Sequence, residues 1–379
     1  MKTQYLQKID EVVENTSKRI ASLTELDSVE RLNFLRFKSA LNFIHPDINV
    51  TTDVYKTYLL NRELSNLEVD YLHLLEKNGF SEMLGNPDFS RERTIYCSYH
   101  MGSYLSIGYY LIKNNINFTI VIGADDFDNK KEMFMNSYYN ILGEVEGSTS
   151  KMDIINGQNK NSIISMIKKV KSGESLLFYI DGSKGLKEFS HEDDNLVEIT
   201  LLKSKLFSRK GISFLSHYLK IPIVPVISYR ANHDEIKVKF LDAIEPFGER
   251  QEYCSVATQT IWDNFSEIFL KYPLQWESIY FMHQFKAPVP LLRPKYLKAS
   301  EIYTFNANRY DFYINENNKV IFDNTRGKSI RLSNGYIDFL YKIHANEISL
   351  EGNEVKEIIK NEESINALID NEFLVSNTK

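Results

Sequence analysis

The chain has 379 residues, 43% hydrophobic and 25% charged, which is enough to bury one sizeable core and a second small domain. Its net charge of −6, without a dense run of lysine and arginine, disfavours nucleic acid as a partner. Its two cysteines provide neither a disulfide framework nor a thiolate metal site, and the sequence contains no secretion signal or membrane-spanning segment, which together favour the cytoplasm.

Apolar residues recur at helical spacing from Thr3 to Ile44 and again from Val54 to Lys77, which predicts N-terminal helices. Beyond them, short apolar strands alternate with helical stretches. The predicted strands are Thr94–Tyr99, Phe118–Gly123, Ser175–Ile180, Ile221–Tyr229 and Ile236–Leu241. The predicted helices are Ser103–Lys113, Lys130–Leu142, Asn161–Lys171, Arg209–Lys220 and Glu252–Tyr272. This alternation predicts an α/β fold with a mostly parallel sheet and helices on both faces.

The composition changes at the proline-rich segment Ala287–Pro294, which predicts an extended connector. We therefore expect one domain at residues 1–287, a linker at 288–299 and a second, small α+β domain at 300–379. Three segments with apolar residues at helical spacing end this second domain. Its length is near the size at which a domain folds alone. Its predicted strands are Glu301–Ala307, Tyr310–Asn315 and Lys319–Asp323.

His100 ends the first apolar strand of the predicted sheet and directly precedes Met101-Gly102-Ser103, where a helical pattern begins. In open α/β sheets, ligands bind at the carboxyl ends of the strands, next to helix N-termini. The helix dipole there disfavours a protonated imidazole, and the neutral form is the one that a general base needs. We expect His100 to act as a base, with Gly102 and Ser103 in a substrate-binding turn. The alternative is a histidine that merely caps the turn.

Asp181 stands at a second strand end, is followed by Gly182, and would share a cleft with His100 if the two strands were neighbours. A carboxylate there would orient the imidazole and stabilise its protonated form. Alternatively, Asp181 only closes an Asp-Gly turn. Arg209 and Lys210 stand at the expected start of a helix, where they suit a phosphate or an oxyanion, or form a solvated basic turn.

Four segments resemble, in order, successive motifs of the bacterial lipid A late acyltransferases. They are His100–Tyr104, Gly173–Gly182, Gly211–Arg230, and Tyr272–Trp276 with the following His283–Lys286. The resemblance covers about residues 30–287 and implies the wider lysophospholipid acyltransferase superfamily, which moves an acyl group from a carrier thioester to a hydroxyl or amine. It also implies that a histidine deprotonates the acceptor and that an acid five positions later orients the histidine.

The chain departs from that family at two positions. Leu105 occupies the position of the family acid, and no arginine occurs in Ile122–Gly147, where the family carries a basic substrate contact. Asp181 matches an acid of a later family motif and would supply the missing partner of His100. The membrane-anchoring helix that usually begins the family is also absent, which disfavours a glycolipid acceptor embedded in a bilayer.

Residues 300–376 resemble, by pattern, the small winged-helix domain with which many maturation enzymes of ribosomally made peptides hold a leader peptide. The segment Tyr310–Asp323, followed by three short helices, carries this resemblance. Such a domain receives the leader as an added β-strand. The alternative is a winged helix for dimerisation or for DNA binding, which the acidic balance disfavours.

We therefore expect an acyltransferase that moves an acyl group from coenzyme A or a carrier protein to a hydroxyl or amine of a peptide natural product. The expected catalytic residues are His100 and Asp181, and the expected substrate-binding residues are Gly102, Ser103, Gly182, Arg209 and Lys210. We expect no bound cofactor and no metal, although His191–Asp194 has the residue types of metal ligands. Two interpretations stay open: an inactive scaffold that binds an acyl group or a peptide, and a lipid or glycolipid acyltransferase in peripheral contact with a membrane.

Overall fold

A computed structural model of the protein describes residues 2–24, 29–182, 194–286, 296–314 and 319–376. The chain divides into two compact units, Met1–Lys18 with Asp53–Ala287 and Arg19–Thr52 with Pro288–Lys379. The fold is mixed α/β with helices and a mostly parallel central sheet, and these coarser features of the expected fold class are confirmed.

The described helices and strands follow in chain order. The helices are α1 (Lys2–Ala21), α2 (Val29–Ile44), α3 (Thr52–Glu68), α4 (Leu72–Leu75), α5 (Ser106–Lys113), α6 (Ala124–Glu144), α7 (Ser162–Lys171), α8 (Gly211–Leu219), α9 (Arg250–Lys271), α10 (Asn334–Ala345), α11 (Gly352–Ile358) and α12 (Glu362–Asp370). The strands are β1 (Ser81–Leu84), β2 (Ile95–Ser98), β3 (Phe118–Ile122), β4 (Met152–Asn156), β5 (Ser175–Tyr179), β6 (Leu196–Leu201), β7 (Ser204–Arg209), β8 (Ile223–Asn232), β9 (Glu235–Phe240), β10 (Ile302–Phe305), β11 (Tyr310–Ile314), β12 (Lys319–Asp323), β13 (Lys328–Ile330), β14 (Leu350–Glu351) and β15 (Leu374–Ser376). None of these helices has the length and apolar character that crossing a membrane requires.

Seven strands form the central sheet of the first unit in the order β1-β9-β8-β2-β5-β3-β4. The five strands from β8 to β4 run parallel to one another, whereas β9 is antiparallel to β8 and β1 is parallel to β9. All four residues of β2 are buried. A strand covered on both faces needs a continuous apolar run, and such runs are what identify β2 and β5 in the sequence.

Four strands of the first unit are missing from the prediction. β1 and β4 lie at the two edges of the sheet and bury one residue each, so neither carries a strong apolar run. β6 and β7 form a hairpin whose turn places Leu202 at φ 55°, without the Asn-Gly or Asp-Gly sequence that marks such turns. The predicted helix Arg209–Lys220 is wrong at its start, because Arg209 ends β7 and α8 begins at Gly211.

The second unit combines α2 with the C-terminal strands and helices. The Ser39 hydroxyl of α2 donates to the carbonyl of Asn324, and Lys38 Nζ lies 3.6 Å from Asp311 Oδ2. Two antiparallel three-stranded sheets, β14-β10-β15 and β11-β12-β13, share an apolar core with α10, α11 and α12. In the division expected from the sequence, α2 fell within residues 1–287. The domain boundaries stay a prediction, and the expected linker at 288–299 lies outside the described residues as far as residue 295.

Candidate active site

Two neighbouring parallel strands bring His100 and Asp181 to the same edge of the sheet. β2 pairs with β5 in a register that sets Ser98 opposite Tyr179. Each of the two polar residues follows its strand by two positions, so they come opposite each other at the carboxyl ends of the strands. The sequence left open whether these strands are neighbours, and the register answers that question.

Asp181 holds both the ring and the backbone of His100. His100 Nδ1 lies 2.8 Å from Asp181 Oδ1, and the His100 backbone N–H donates to Asp181 Oδ2 at 2.9 Å. The indole Nε1–H of Trp276 donates to the same Oδ2 at 2.6 Å. Because an ionised carboxylate only accepts hydrogen bonds, Nδ1 carries the proton and Nε2 keeps its lone pair. Among the described residues, Nε2 has no hydrogen-bond partner.

Burial and charge act in opposite directions on this pair. Burial alone would lower the pKa of His100, but the charge and hydrogen bond of Asp181, with help from Glu277, raise that pKa above its ordinary value. Burial alone would raise the pKa of Asp181, which is fully buried, but His100 and the Trp276 hydrogen bond bring it below the ordinary value. Asp181 therefore stays ionised at neutral pH, and it strengthens His100 as a base.

The turn after His100 is fixed to the segment that contains Trp276. Met101 forms a β-bridge with Trp276, and the Gly102 N–H donates to the Gln275 carbonyl at 3.1 Å. Gly102 has φ +58°, and a Cβ there would lie 2.7 Å from the carbonyl oxygen of Ser228. The position thus requires glycine for the close approach of two backbones. Because its amide is already bonded, Gly102 does not offer that amide to a substrate.

Ser103 and the residues after it begin the turn that leads into α5. The Ser103 side chain is buried, and its hydroxyl lies 2.7 Å from that of Ser106. In the described chain, the backbone N–H groups of Ser103 and Tyr104 donate no hydrogen bond. Amides at the start of a helical turn are unpaired within the helix and favour a negative charge.

A buried polar network supports this turn from β8 and α3. Arg230 donates through Nε to Glu68 Oε1 at 2.8 Å and through Nη2 to Glu68 Oε2 at 2.5 Å. The Ser65 hydroxyl donates to the Gly102 carbonyl at 2.7 Å, and the Arg230 N–H donates to Gln275 Oε1 at 2.7 Å. The network ties two helical segments and a strand to the backbone beside His100, and so it fixes the position of the ring.

Glu277 is a site residue that sequence reasoning missed. Its backbone N–H donates to the His100 carbonyl at 2.8 Å, and its Oε1 is buried without a hydrogen-bond partner in the described residues. Burial raises the pKa of Glu277 to about 7, against the opposing charges of His100, Arg230 and Arg62. The only sequence signal was its place directly after Trp276, at the end of a family-like motif.

Aromatic rings surround His100 and lead to an apolar cavity. Tyr104 and Tyr179 have ring centroids 4.9 Å and 4.8 Å from that of His100. Tyr179 also lines the cavity, together with Leu105 and side chains of α4, α5, α6, β3 and β4, among them Phe134. Leu105, five residues after His100, thus faces apolar surroundings, while Asp181 reaches His100 from another strand.

Other expected substrate-binding residues lie outside these contacts. Gly182 follows Asp181 and is exposed, Arg209 is exposed at the end of β7, and Lys210 is the N-cap of α8. The charge of Lys130 in α6 also lowers the pKa of His100. Its effect is weaker than those of burial, Asp181 and Glu277. Lys130 Nζ is 3.2 Å from Asp126 Oδ1.

The described residues contain no group of three or more histidine, cysteine or acidic residues that could hold a metal ion. Most of the polar segment His191–Asp194 lies outside the described residues. A comparison with models of known protein families gives no match. A comparison with curated protein sequences likewise gives no match.

Proposed function

We propose that the chain is an acyltransferase in which His100 is the general base and Asp181 its orienting acid. The observation that carries the proposal is the His100–Asp181 hydrogen bond at the carboxyl ends of β2 and β5, with Nε2 unpaired among the described residues. In general-base catalysis of acyl transfer, a carboxylate fixes the tautomer of a partly exposed imidazole and raises its basicity. His100 and Asp181 have this arrangement.

The reaction would begin when His100 Nε2 takes a proton from the acceptor hydroxyl or amine. The acceptor oxygen or nitrogen then attacks the thioester carbonyl carbon, and the carbonyl oxygen becomes an oxyanion. The unpaired amides of Ser103 and Tyr104 are the proposed donors to this oxyanion, replacing the Gly102 amide, which is engaged. Collapse breaks the C–S bond, and the imidazolium returns its proton to the departing thiolate.

The acyl chain of the donor would enter beside Tyr179, where the apolar cavity of about 30 Å³ would have to widen to admit it. Leu105 lines this cavity and stands five residues after His100. An acidic side chain there would be buried among apolar groups at a considerable desolvation cost. The leucine therefore suits an acyl chain, while the acidic function is supplied by Asp181. The thioester donor would be coenzyme A or a carrier protein in a reducing cytoplasm.

The acceptor would be a peptide held by the second unit, in which we propose a winged-helix-like leader clamp. β13 pairs on one side with β12, and no described strand pairs with its other side. Lys328 and Ser329 are exposed residues, and an extended peptide could add to this open edge as a further strand. An inactive scaffold and a peripheral lipid acyltransferase are the alternatives.

A thiol-release assay with acyl-coenzyme A, combined with intact-mass analysis of acylated acceptors, tests the proposal. We expect His100→Ala to lower transfer by about 10²–10⁴-fold, because a positioned base contributes that factor. His233→Ala, which removes an exposed histidine from the turn between β8 and β9, is the matched control and should transfer like wild type. Equal transfer by His100→Ala and wild type would refute the enzyme and favour the scaffold.

A further inference from the structure

The carboxyl group of Glu277, near His100, limits which chemical class of acceptor the site suits. Glu277 adjoins Trp276, which bonds Asp181, and the Glu277 backbone N–H holds the carbonyl of His100. Its Oε1 is buried and unpartnered in the described part of the chain. Buried polar atoms in folded proteins almost always have a partner, so an orphaned carboxylate oxygen next to a catalytic base points to a missing hydrogen-bond donor.

The charges around Glu277 set the chemistry of that donor. His100, Arg230 and Arg62 act on its carboxylate electrostatically and lower its pKa, against the larger effect of burial. Arg230 bonds Glu68 through Nε and Nη2, and its Nη1 is buried without a hydrogen-bond partner in the described residues. The charge of Glu277 also contributes to raising the pKa values of Tyr58 and Tyr104. These charges favour the ionised carboxylate, burial outweighs them and raises its pKa to about 7, and Oε1 is left able to accept a hydrogen bond.

Resting on the function proposed above, we propose that the acceptor is a primary amine and that Glu277 receives the first proton of its ammonium group. An alcohol loses one proton during acyl transfer, and one base suffices. An alkylammonium loses two, one before attack and one after it, and so two bases are needed. His100 and Glu277 provide two bases in one site, and the pKa of Glu277, raised to about 7 by burial, lets it accept a proton near neutral pH.

The ammonium gives a proton to Glu277, and the neutral amine attacks the thioester carbon, forming the C–N bond and an oxyanion. The nitrogen gives its second proton to His100 Nε2. The C–S bond then breaks, its electron pair leaves with sulfur, and the imidazolium protonates the thiolate. Glu277 releases the first proton to solvent, so the products are an amide, a free thiol and one proton.

Matched acceptors that differ only at the nucleophile test this assignment in the full-length chain. The probes are n-hexylamine and 1-hexanol, with octanoyl-coenzyme A as donor. We expect wild type to form the amide at least about tenfold faster than the ester. The isosteric variant Glu277→Gln should lower that amine-to-alcohol ratio by about 10²-fold, the contribution of one positioned base. Glu267→Gln, which changes an exposed glutamate of α9, is the matched control and should keep the wild-type ratio.

A binding measurement covers the case in which neither probe is acylated or the variant is poorly folded. Without donor, hexylamine should raise the melting temperature of wild type more than hexanol does, and Glu277→Gln should lose this difference. An unchanged ratio in Glu277→Gln, preference for the alcohol, or no stabilisation of wild type by hexylamine would overturn the assignment. Transfer that persists in His100→Ala would instead overturn the proposed function, so the two failures are distinguishable.

Discussion

Replacing Asp181 with asparagine is the sharpest test of the proposed base. Asp181 is fully buried, and it accepts hydrogen bonds from the backbone and ring of His100 and from Trp276. Asparagine keeps the shape but removes the charge and lets an NH2 group face Nδ1, which favours the wrong tautomer. In a serine protease triad the equivalent change costs about 10⁴-fold. We expect a loss of about 10²–10⁴-fold, or roughly 3–5 kcal/mol of transition-state stabilisation.

The pH dependence gives the same variant a second, independent readout. In wild type the pKa of His100 is raised, and catalysis needs the neutral ring, so the rate should rise with pH through a midpoint above the ordinary 6.5. Without the Asp181 charge, burial still lowers the pKa of His100, and the midpoint should move to lower pH even as the plateau falls. Only the weaker effect of Glu277 opposes this shift.

The assay is thioester consumption between pH 5 and 9, with Asp242→Asn, an exposed aspartate that follows β9, as the matched control. A plateau within threefold of wild type would show that Asp181 does not support the base. A midpoint that moves upward would contradict the electrostatic argument, even if the plateau fell.

Three further predictions concern the cavity, the turn and the proposed clamp. Leu105→Phe should fill part of the apolar cavity and shift donor preference toward shorter acyl chains in a coenzyme A series, while Ile164→Phe on exposed α7 should not. Gly102→Ala should lower the free energy of unfolding in urea by about 3 kcal/mol, because it adds left-handed strain and a backbone clash; an unchanged midpoint would contradict this. Lys328→Pro and Ser329→Pro test the clamp. Successive N–H groups of β13 point to opposite edges, so one proline removes an N–H that faces β12 and the other removes an N–H at the open edge. The variant that keeps the wild-type melting temperature should lose affinity for a labelled precursor peptide. Unchanged affinity in both would refute the clamp.

The central sheet could be predicted from the sequence because its inner strands are buried on both faces. β2, β5 and β8 appear in the sequence as continuous apolar runs. His100 and Asp181 stand out as the polar residues that follow β2 and β5. The edge strands β1 and β4 could not be predicted, because one buried residue in four or five gives no period. Which strands lie next to each other could not be predicted either, because strand order depends on how the whole sheet assembles.

Trp276 and Glu277 show a different limit of sequence reasoning. They reach the site from a segment 95 residues beyond Asp181, and no local spacing connects them with the strand ends. Trp276 was visible only as part of a motif, and nothing marked its neighbour as a site residue. Arg209 and Lys210 show the converse: a basic pair at an expected helix start turned out to straddle the end of β7 and the N-cap of α8.

The β2–β5 register has a consequence for how insertions would affect the His100–Asp181 pair. A base and an acid five residues apart share one turn, so any insertion in that turn separates them. Here the pair spans two strands, and sliding β5 by one residue would displace Asp181 by about 3.3 Å and turn it to the opposite face. The alignment of two buried strands therefore sets the distance between the proposed base and its acid, while bonds to Gln275 and Ser65 fix the turn after His100.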